Sequence, residues 1–288
     1  MATKPTTAPV VKAKNEVAVS GAVPDFMAKY AGQGTEKLGP ADVEVPRVKL
    51  LQGTSPEVEE FESAKPGAFW HTMTQGSLGK EIMICPIYID QRAILWRPRD
   101  DGGGILARAD DGIHWSPANA TFAVKIGKKP HQKDVVWKTR PTVVGSGLLE
   151  WGSSDPDDAA SQPAATKMYN MVCSFPDNPD VPPAVITLQR ASIRVARKFL
   201  GQIKMARAPS FGMKFMMSSW VDNGAGGDKF QNYKFAPMGF VQDQDTFAQN
   251  QGLYEAFKAM GLKINDLEGV QDDFVGADAS DDTDRSSY

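Results

Sequence analysis

The chain has 288 residues, 41% of them hydrophobic and 23% charged, which suffices for one large domain or two small ones around an apolar core. No apolar run is long enough for a transmembrane helix, the N-terminal residues lack the apolar segment of a signal peptide, and two cysteines cannot make a disulfide framework, so a cytoplasmic protein is expected. The 26 glycines and 20 prolines favour short strands and turns over a helical bundle or coiled coil.

The formal net charge of −3 is unevenly distributed along the chain. Residues 266–288 contain eight acidic side chains and one basic one, Arg285, and therefore carry −7, which leaves +4 on residues 1–265. A basic body followed by an acidic terminal segment is typical of an interaction tail. We therefore predict a disordered leader over residues 1–25, one β-rich nucleic-acid-binding domain over residues 26–265, and an acidic tail over residues 266–288. A division into two domains at the polar loop 152–165 stays open.

The hydrophobic pattern predicts a mainly β fold with a few helices, an OB-like barrel with long loops. The predicted strands cover residues 82–89, 93–96, 105–109, 120–126, 134–137, 142–144, 168–175 and 184–188. The first two are separated by the charged triplet Asp90-Gln91-Arg92, and a flexible loop is expected at 223–228. A sandwich of short strands fits the same pattern.

Two helices stand out after these strands, and a short one is predicted at 25–30. Over residues 188–204, apolar side chains recur at helical spacing and form one face, while Arg190, Arg194 and Arg197 form a basic row. A second helix is predicted over residues 247–260, and Gly261 is a suitable stop signal.

The sequence contains no catalytic motif that would predict an enzyme. The chain contains no phosphate-binding glycine loop, no paired zinc-ligand motif and no nucleophile elbow. The three histidines are far apart in sequence, and the paired aspartates Asp100-Asp101 and Asp110-Asp111 are explained by turns that they cap. We therefore expect no catalytic residue, no metal and no cofactor, although a zinc site is left open.

The strongest signal is the combination of basic and aromatic residues in two windows. Residues 125–140 contain six basic side chains against Asp134, and residues 181–221 contain no acidic residue at all. Single-stranded nucleic acid presents phosphates to Lys and Arg and unpaired bases to aromatic rings. The predicted contacts are Lys125, Lys128, Lys129, Lys133, Trp137, Lys138, Arg140, Arg190, Arg194, Arg197, Lys198, Lys204, Arg207, Phe211 and Lys214, with Trp137 and Phe211 stacking on bases. Trp96 and Trp115 are further stacking residues or core residues.

The acidic tail can compete with DNA for a basic groove or bind a replication enzyme. Its predicted contact residues share negative charge, except for the terminal aromatic that would act as an anchor; they are Asp272, Asp273, Asp278, Asp281, Asp282, Asp284 and Tyr288.

This organisation resembles the single-stranded DNA-binding proteins of tailed bacteriophages. Residues 67–74, 95–112 and 148–158 are similar to phage early-region sequences. The resemblance implies an OB-type barrel, sequence-tolerant DNA binding in replication and recombination, and contacts of the tail with replication enzymes, with Tyr288 as the terminal aromatic. The tail here is less densely acidic, and Arg285 interrupts it.

The sequence thus predicts a non-enzymatic protein that coats single-stranded DNA during phage replication and recombination. Its partners would be single-stranded DNA and replication enzymes, with no membrane, and a homo-oligomer is left open. Two other classes of protein remain as alternatives: a structural or assembly protein of the virion, and a metal-dependent enzyme of nucleic-acid metabolism.

Overall fold

The structure is a computed structural model that describes residues 46–128, 130–224 and 227–260, together with Phe26, Tyr30, Gln33 and Gly34. The predicted leader, most of the short helix at 25–30, the helix stop at Gly261 and the acidic tail lie outside these residues. Of the helices in the described ranges, none has both the length and the apolar character of a membrane span.

The fold of the described residues is mainly β, as predicted. The strands are β1 (Val48–Leu50), β2 (Phe69–His71), β3 (Gly76–Ser77), β4 (Glu81–Trp96), β5 (Ile105–Ala109), β6 (Thr121–Ile126), β7 (Lys133–Lys138), β8 (Ala165–Ser174), β9 (Ala184–Gln189), β10 (Met213–Asn223) and β11 (Lys229–Phe240). The helices are α1 (Pro56–Glu60), α2 (Val143–Ser146), α3 (Ile193–Met205) and α4 (Gln244–Met260).

The largest sheet has the order β11-β10-β4-β8-β9, with β5 added along the far end of β4. All its pairings are antiparallel. Two small sheets accompany it, β1-β2-β3 and the β6–β7 hairpin. The described sheets are open, so the backbone ladder does not close into a barrel.

Strand β4 corrects the prediction of two strands separated by a charged break, because it runs through residues 90–92 without interruption. The Arg92 side chain is buried, and its guanidinium lies 3.0 Å from the Asp90 carboxylate and 3.7 Å from that of Asp110. Charged residues can continue a buried strand when each charge has a partner, and the sequence pattern does not reveal such partners.

Two hydrophobic cores lie on the same face of the β4–β8 ladder. The main core includes Ile82 and Ile84 of β4, and the second core includes Ala93 and Leu95 of the same strand. Side chains alternate between the two faces of a strand, so even-numbered Ile82 and Ile84 would lie on the face opposite to odd-numbered Ala93 and Leu95. The bulge between Pro86 and Tyr88 inserts one extra residue and brings all four side chains to the same face. Helix α4 covers the opposite face of the sheet.

The helix predicted at 188–204 is α3, which begins later, at Ile193. Its predicted apolar face is confirmed, since Ala196 and Phe199 are buried and Val195, Leu200 and Ile203 pack against the main core. The predicted strand at 142–144 is wrong. Thr142 instead caps α2, because its hydroxyl oxygen accepts a hydrogen bond from the Gly145 backbone N–H at 3.1 Å.

The long β10–β11 hairpin is the largest element without individual strand predictions. Its turn falls within the loop predicted at 223–228, but strands were not assigned on either side. The hairpin contributes Phe215, Met217, Tyr233 and Phe235 to the main core. The register Ser218↔Lys234 and Trp220↔Asn232 places Trp220 and Lys234 on one face of the hairpin, with the Ser219↔Tyr233 pair between them.

Candidate nucleic-acid interface

A groove of about 420 Å³ lies between helix α3 and the β10–β11 hairpin. We call it the α3 groove. It combines basic and aromatic side chains from three elements, and its lining residues are Arg194, Val195, Lys198, Phe199, Gln202, Trp220, Tyr233, Lys234 and Phe235.

The sequence of α3 explains the basic wall of the groove. Residues four apart lie above one another on a helix, so Arg194, Lys198 and Gln202 form one row along its exposed side. The opposite side buries Ala196 and Phe199 in the main core. The helix is therefore fixed by its apolar face, and its cations are held beside the hairpin.

The aromatic base of the groove is part of the main core. The Phe199 ring packs 4.8 Å from the Phe215 ring and 4.4 Å from the Phe235 ring, measured between centroids. The Tyr233 and Phe235 rings are stacked with their centroids 6.3 Å apart. These contacts fix the floor, whereas the Trp220 side chain is 43% exposed at the edge of the groove. Trp220 is therefore the ring best placed to stack on a ligand.

The groove presents positive charge that no acidic group within residues 46–128, 130–224 and 227–260 neutralises. Within the described ranges, no hydrogen bond or ion pair engages the cationic groups of Arg194, Lys198 or Lys234. No carboxylate of the described residues lines the groove. Such a surface attracts phosphate groups, because no described residue competes for its cations.

The other predicted residues of the acid-free window are dispersed around α3. Arg190 lies in a 3-10 turn before the helix, with φ of 50°, and is therefore not part of a continuous helical row. Arg197 and Lys204 project from the exposed side of α3 away from the groove lining. Arg207 follows the helix, and Lys214 is half-buried on β10.

The first basic window forms the β6–β7 hairpin and the segment after it. Lys125, Lys128, Lys138 and Arg140 are exposed there, whereas Lys129 lies outside the described residues. The hairpin packs on the second core through Val124, Val135 and Trp137, among others. It is therefore a second basic surface, carried by a different core from that of the α3 groove.

Lys133 differs from its neighbours because two carboxylates already bind it. Its ammonium group forms ion pairs with Asp155 and, at 3.1 Å, with Asp157. The Asp155 hydrogen bond raises the pKa of Lys133, and the same bond lowers the pKa of Asp155. The polar loop predicted at 152–165 thus contacts the turn end of the hairpin and partly neutralises this cation.

The structure does not support the two predicted stacking residues. The Trp137 side chain is only 4% exposed, and its indole N–H donates to the Ser154 carbonyl at 3.1 Å, so it is a core residue. The Phe211 ring is covered by α4, with centroids 5.3 Å from Phe247 and 5.2 Å from Tyr254. Of the other two tryptophans considered, Trp115 is buried in the second core and Trp96 is half-buried.

Sequence reasoning missed five lining residues, which are Gln202, Trp220, Tyr233, Lys234 and Phe235. Trp220 lies inside the acid-free window, but its neighbours gave no indication of exposure. Lys234 lies outside both windows, and only the hairpin register brings it to the groove. A strand prediction for residues 213–240 would have been the signal needed.

Within the part of the chain that the structure describes, no group of three or more His, Cys, Asp or Glu side chains could hold a metal ion. Cys85 and Cys173 are both buried thiols, and burial raises the pKa of each. Neither thiol is therefore predisposed to act as a thiolate ligand or nucleophile.

Comparison with known proteins gives one match. A family model described as Pam3 phage gp34-like protein matches residues 13–263 of the chain. No curated protein matches, and no solved structure matches.

Proposed function

We propose that this chain, which belongs to the Pam3 phage gp34-like family, is a non-enzymatic protein that binds single-stranded DNA in phage replication and recombination. The family places it in a bacteriophage context but assigns no activity. The observation that carries the proposal is the α3 groove, which Arg194, Lys198 and Lys234 line together with an exposed Trp220.

Each component of the groove matches one component of a single strand. The cations meet the phosphate line, and the Trp220 ring offers a face to an unpaired base, a contact worth about 1–3 kcal/mol per base. Duplex DNA keeps its bases stacked inside the helix and cannot offer them to Trp220. The groove therefore favours single strands over duplexes, with little dependence on sequence.

The OB-type barrel belongs to this proposal. Support comes from the strands around the main core, which follow one another as β11, β10, β4, β8 and β9, with an isolated parallel bridge from Arg47, before β1, to Val185 of β9. Strand β1 thereby lies beside β9, and the Gln52 side chain after β1 hydrogen-bonds to Gln231 of β11. This arrangement resembles a barrel with one seam unpaired along its backbone.

The acidic tail, residues 266–288, is proposed to compete with DNA for the basic surfaces and to bind replication enzymes when displaced. Its charge of −7 complements the cations of the α3 groove, which pair with no described carboxylate. Removal of residues 266–288 should then tighten DNA binding at low salt. Unchanged or weaker binding by the shortened chain would contradict a shielding role for the tail.

The decisive experiment measures fluorescence anisotropy with a labelled single strand of about 30 nucleotides and with its duplex, at low and moderate salt. We expect tighter binding to the single strand and a steep loss of affinity with salt, because each neutralised phosphate releases counterions. Trp220→Leu should weaken binding about tenfold. The double variant R194Q/K198Q should lower both the affinity and its salt dependence.

Two matched controls are available outside the groove. The Trp151 side chain is 45% exposed, like that of Trp220, but does not line the groove, so Trp151→Leu tests for a general effect of an exposed indole. Lys258 lies on α4, against the opposite face of the sheet, so Lys258→Gln tests for a general effect of charge. Absence of binding to either nucleic acid would overturn the proposal and favour a virion assembly protein.

A further inference from the structure

The α3 groove and the β6–β7 hairpin lie at opposite ends of β4. Trp220 follows Ser219, whose backbone N–H donates to the Lys80 carbonyl just before β4 begins. The hairpin packs on the second core, which includes Leu95 near the other end of β4. Since a strand rises about 3.3 Å per residue, the two basic surfaces are separated by about 45 Å along β4.

The two helical and hairpin elements that carry most of the cations, α3 and β6–β7, also pack on the same side of the sheet. Helix α3 packs on the main core and the hairpin on the second core, and these cores share one face of the β4–β8 ladder. A linear ligand could therefore pass from Arg194 and Lys198 of α3 to the hairpin without going around an edge. The side chains between the two cores on this face determine whether a nucleic-acid strand can bind along such a path.

Lys167 and Tyr169 of β8 occupy that intervening stretch. Met171 of β8 belongs to the main core and Ala165 to the second core, so by alternation residues 167 and 169 share their face. Both side chains are half-buried, and the Lys167 ammonium lies 5.2 Å from the centre of the Tyr169 ring. One cation and one aromatic ring are thus paired between two basic surfaces.

The start of the α3 segment adjoins the same position. Met168 pairs with Gln189 in the β8–β9 ladder, and Arg190 follows directly in the chain. Basic residues therefore continue from Lys167 through Arg190 towards Arg194 at the groove. Neither Lys167 nor Tyr169 lies in the basic windows of the sequence.

We propose that Lys167 and Tyr169 form a third contact site for single-stranded nucleic acid, which joins the α3 groove to the β6–β7 hairpin in one continuous track. This inference rests on the proposed function. At the stacked spacing of about 3.4 Å per nucleotide, a strand needs about 13 nucleotides to reach from one surface to the other. Once one end is bound, the second surface acts at high effective concentration and increases the affinity of long strands.

The test compares a strand of about 6 nucleotides, too short to reach both surfaces, with one of about 30 nucleotides. For the wild type we expect a much tighter complex with the long strand. The double variant K167Q/Y169L should weaken long-strand binding about tenfold and change short-strand binding less than about twofold. The control Tyr88→Leu removes a half-buried ring from the opposite face of the ladder and should not reduce the advantage of the long strand.

Three outcomes are informative. Loss of the long-strand advantage in K167Q/Y169L, but not in Tyr88→Leu, supports the track. An unchanged advantage overturns the track while leaving the α3 groove as the binding site, whereas a wild type that binds neither strand overturns the proposed function and the track together. If Y169L fails to fold, as judged by thermal unfolding, the single variant Lys167→Gln decides the question in the same assay.

Discussion

The Gln52 side chain binds the backbone of Gln231 as a neighbouring strand would. Its amide NH2 donates to the Gln231 carbonyl at 3.0 Å, and its amide oxygen accepts from the Gln231 N–H at 2.7 Å. One side chain therefore fastens the segment after β1 to the outer edge of β11. This contact spans the seam at which the strands around the main core are not joined by a backbone ladder.

Replacement of Gln52 by Leu should destabilise the protein, because both hydrogen bonds to Gln231 are lost. We expect the free energy of unfolding to fall by about 1–3 kcal/mol, measured by urea denaturation. Gln242→Leu removes an exposed amide on the segment before α4 and should change the free energy of unfolding by less than about 0.5 kcal/mol. Equal effects of the two variants would show that the seam contact does not contribute to stability.

Replacement of Arg92 by Leu should lower the free energy of unfolding more than Gln52→Leu does, because it leaves the partly buried Asp90 carboxylate without its cation. Breaking a buried ion pair from one side costs about 3–5 kcal/mol, and the exposure of Asp110 places this site at the lower limit, about 3 kcal/mol. Urea denaturation of the variant gives the value directly. Arg140→Leu, at an exposed position, is the control, and a comparably small loss for Arg92→Leu would contradict its role in holding β4 together.

The buried His71 side chain should make stability depend on pH. The Thr74 backbone N–H donates to Nδ1 at 3.3 Å, so Nε2 carries the proton and donates to the Pro182 carbonyl at 3.2 Å. Burial lowers the pKa of His71 below 6.5, hence the unfolded chain binds a proton more readily than the folded one. This contribution to stability is complete above pH 6.5 and is lost as the pH falls towards the lower folded pKa.

The corresponding measurement is urea denaturation of His71→Gln between about pH 7 and about pH 5. The variant is expected to be less stable at neutral pH but to show a flatter decline than the wild type as the pH falls. His131 is exposed, so His131→Gln should keep the slope of the wild type. If the free energy of unfolding of His71→Gln fell with pH as steeply as that of the wild type, groups other than His71 would cause the pH dependence.

The ion pairs of Lys133 predict that it contributes less to nucleic-acid binding than Lys125 does. Because Asp155 and Asp157 already bind the Lys133 ammonium, Lys133→Gln should weaken binding to a long single strand less than Lys125→Gln. The double variant D155N/D157N should tighten binding, since it releases one cation and removes two negative charges beside the hairpin. Anisotropy titrations at low salt measure all three, and a larger loss for Lys133→Gln than for Lys125→Gln would contradict this ranking.

Local patterns in the sequence predicted much of the secondary structure. The strands β5, β6, β7, β8 and β9 lie close to their predicted bounds. The predicted apolar face of α3 is confirmed, since Phe199 is buried in the main core. The two errors have different causes. Arg92 lies inside a strand because Asp110 approaches from another segment, whereas residues 142–144 begin a helix because the Thr142 hydroxyl accepts a hydrogen bond from the nearby Gly145 N–H.

The sequence by itself determined the mainly β class, the amphipathic helix α3 and the separation of a basic body from an acidic tail, because periodicity and charge are properties of neighbouring residues. Only the tertiary structure decided that Trp220 is exposed whereas Trp137 is buried, and that Lys133 is bound to two carboxylates whereas no described carboxylate pairs with Arg194. The reason is physical: exposure and ion pairing depend on which distant segment lies across from a side chain, and strand register sets that.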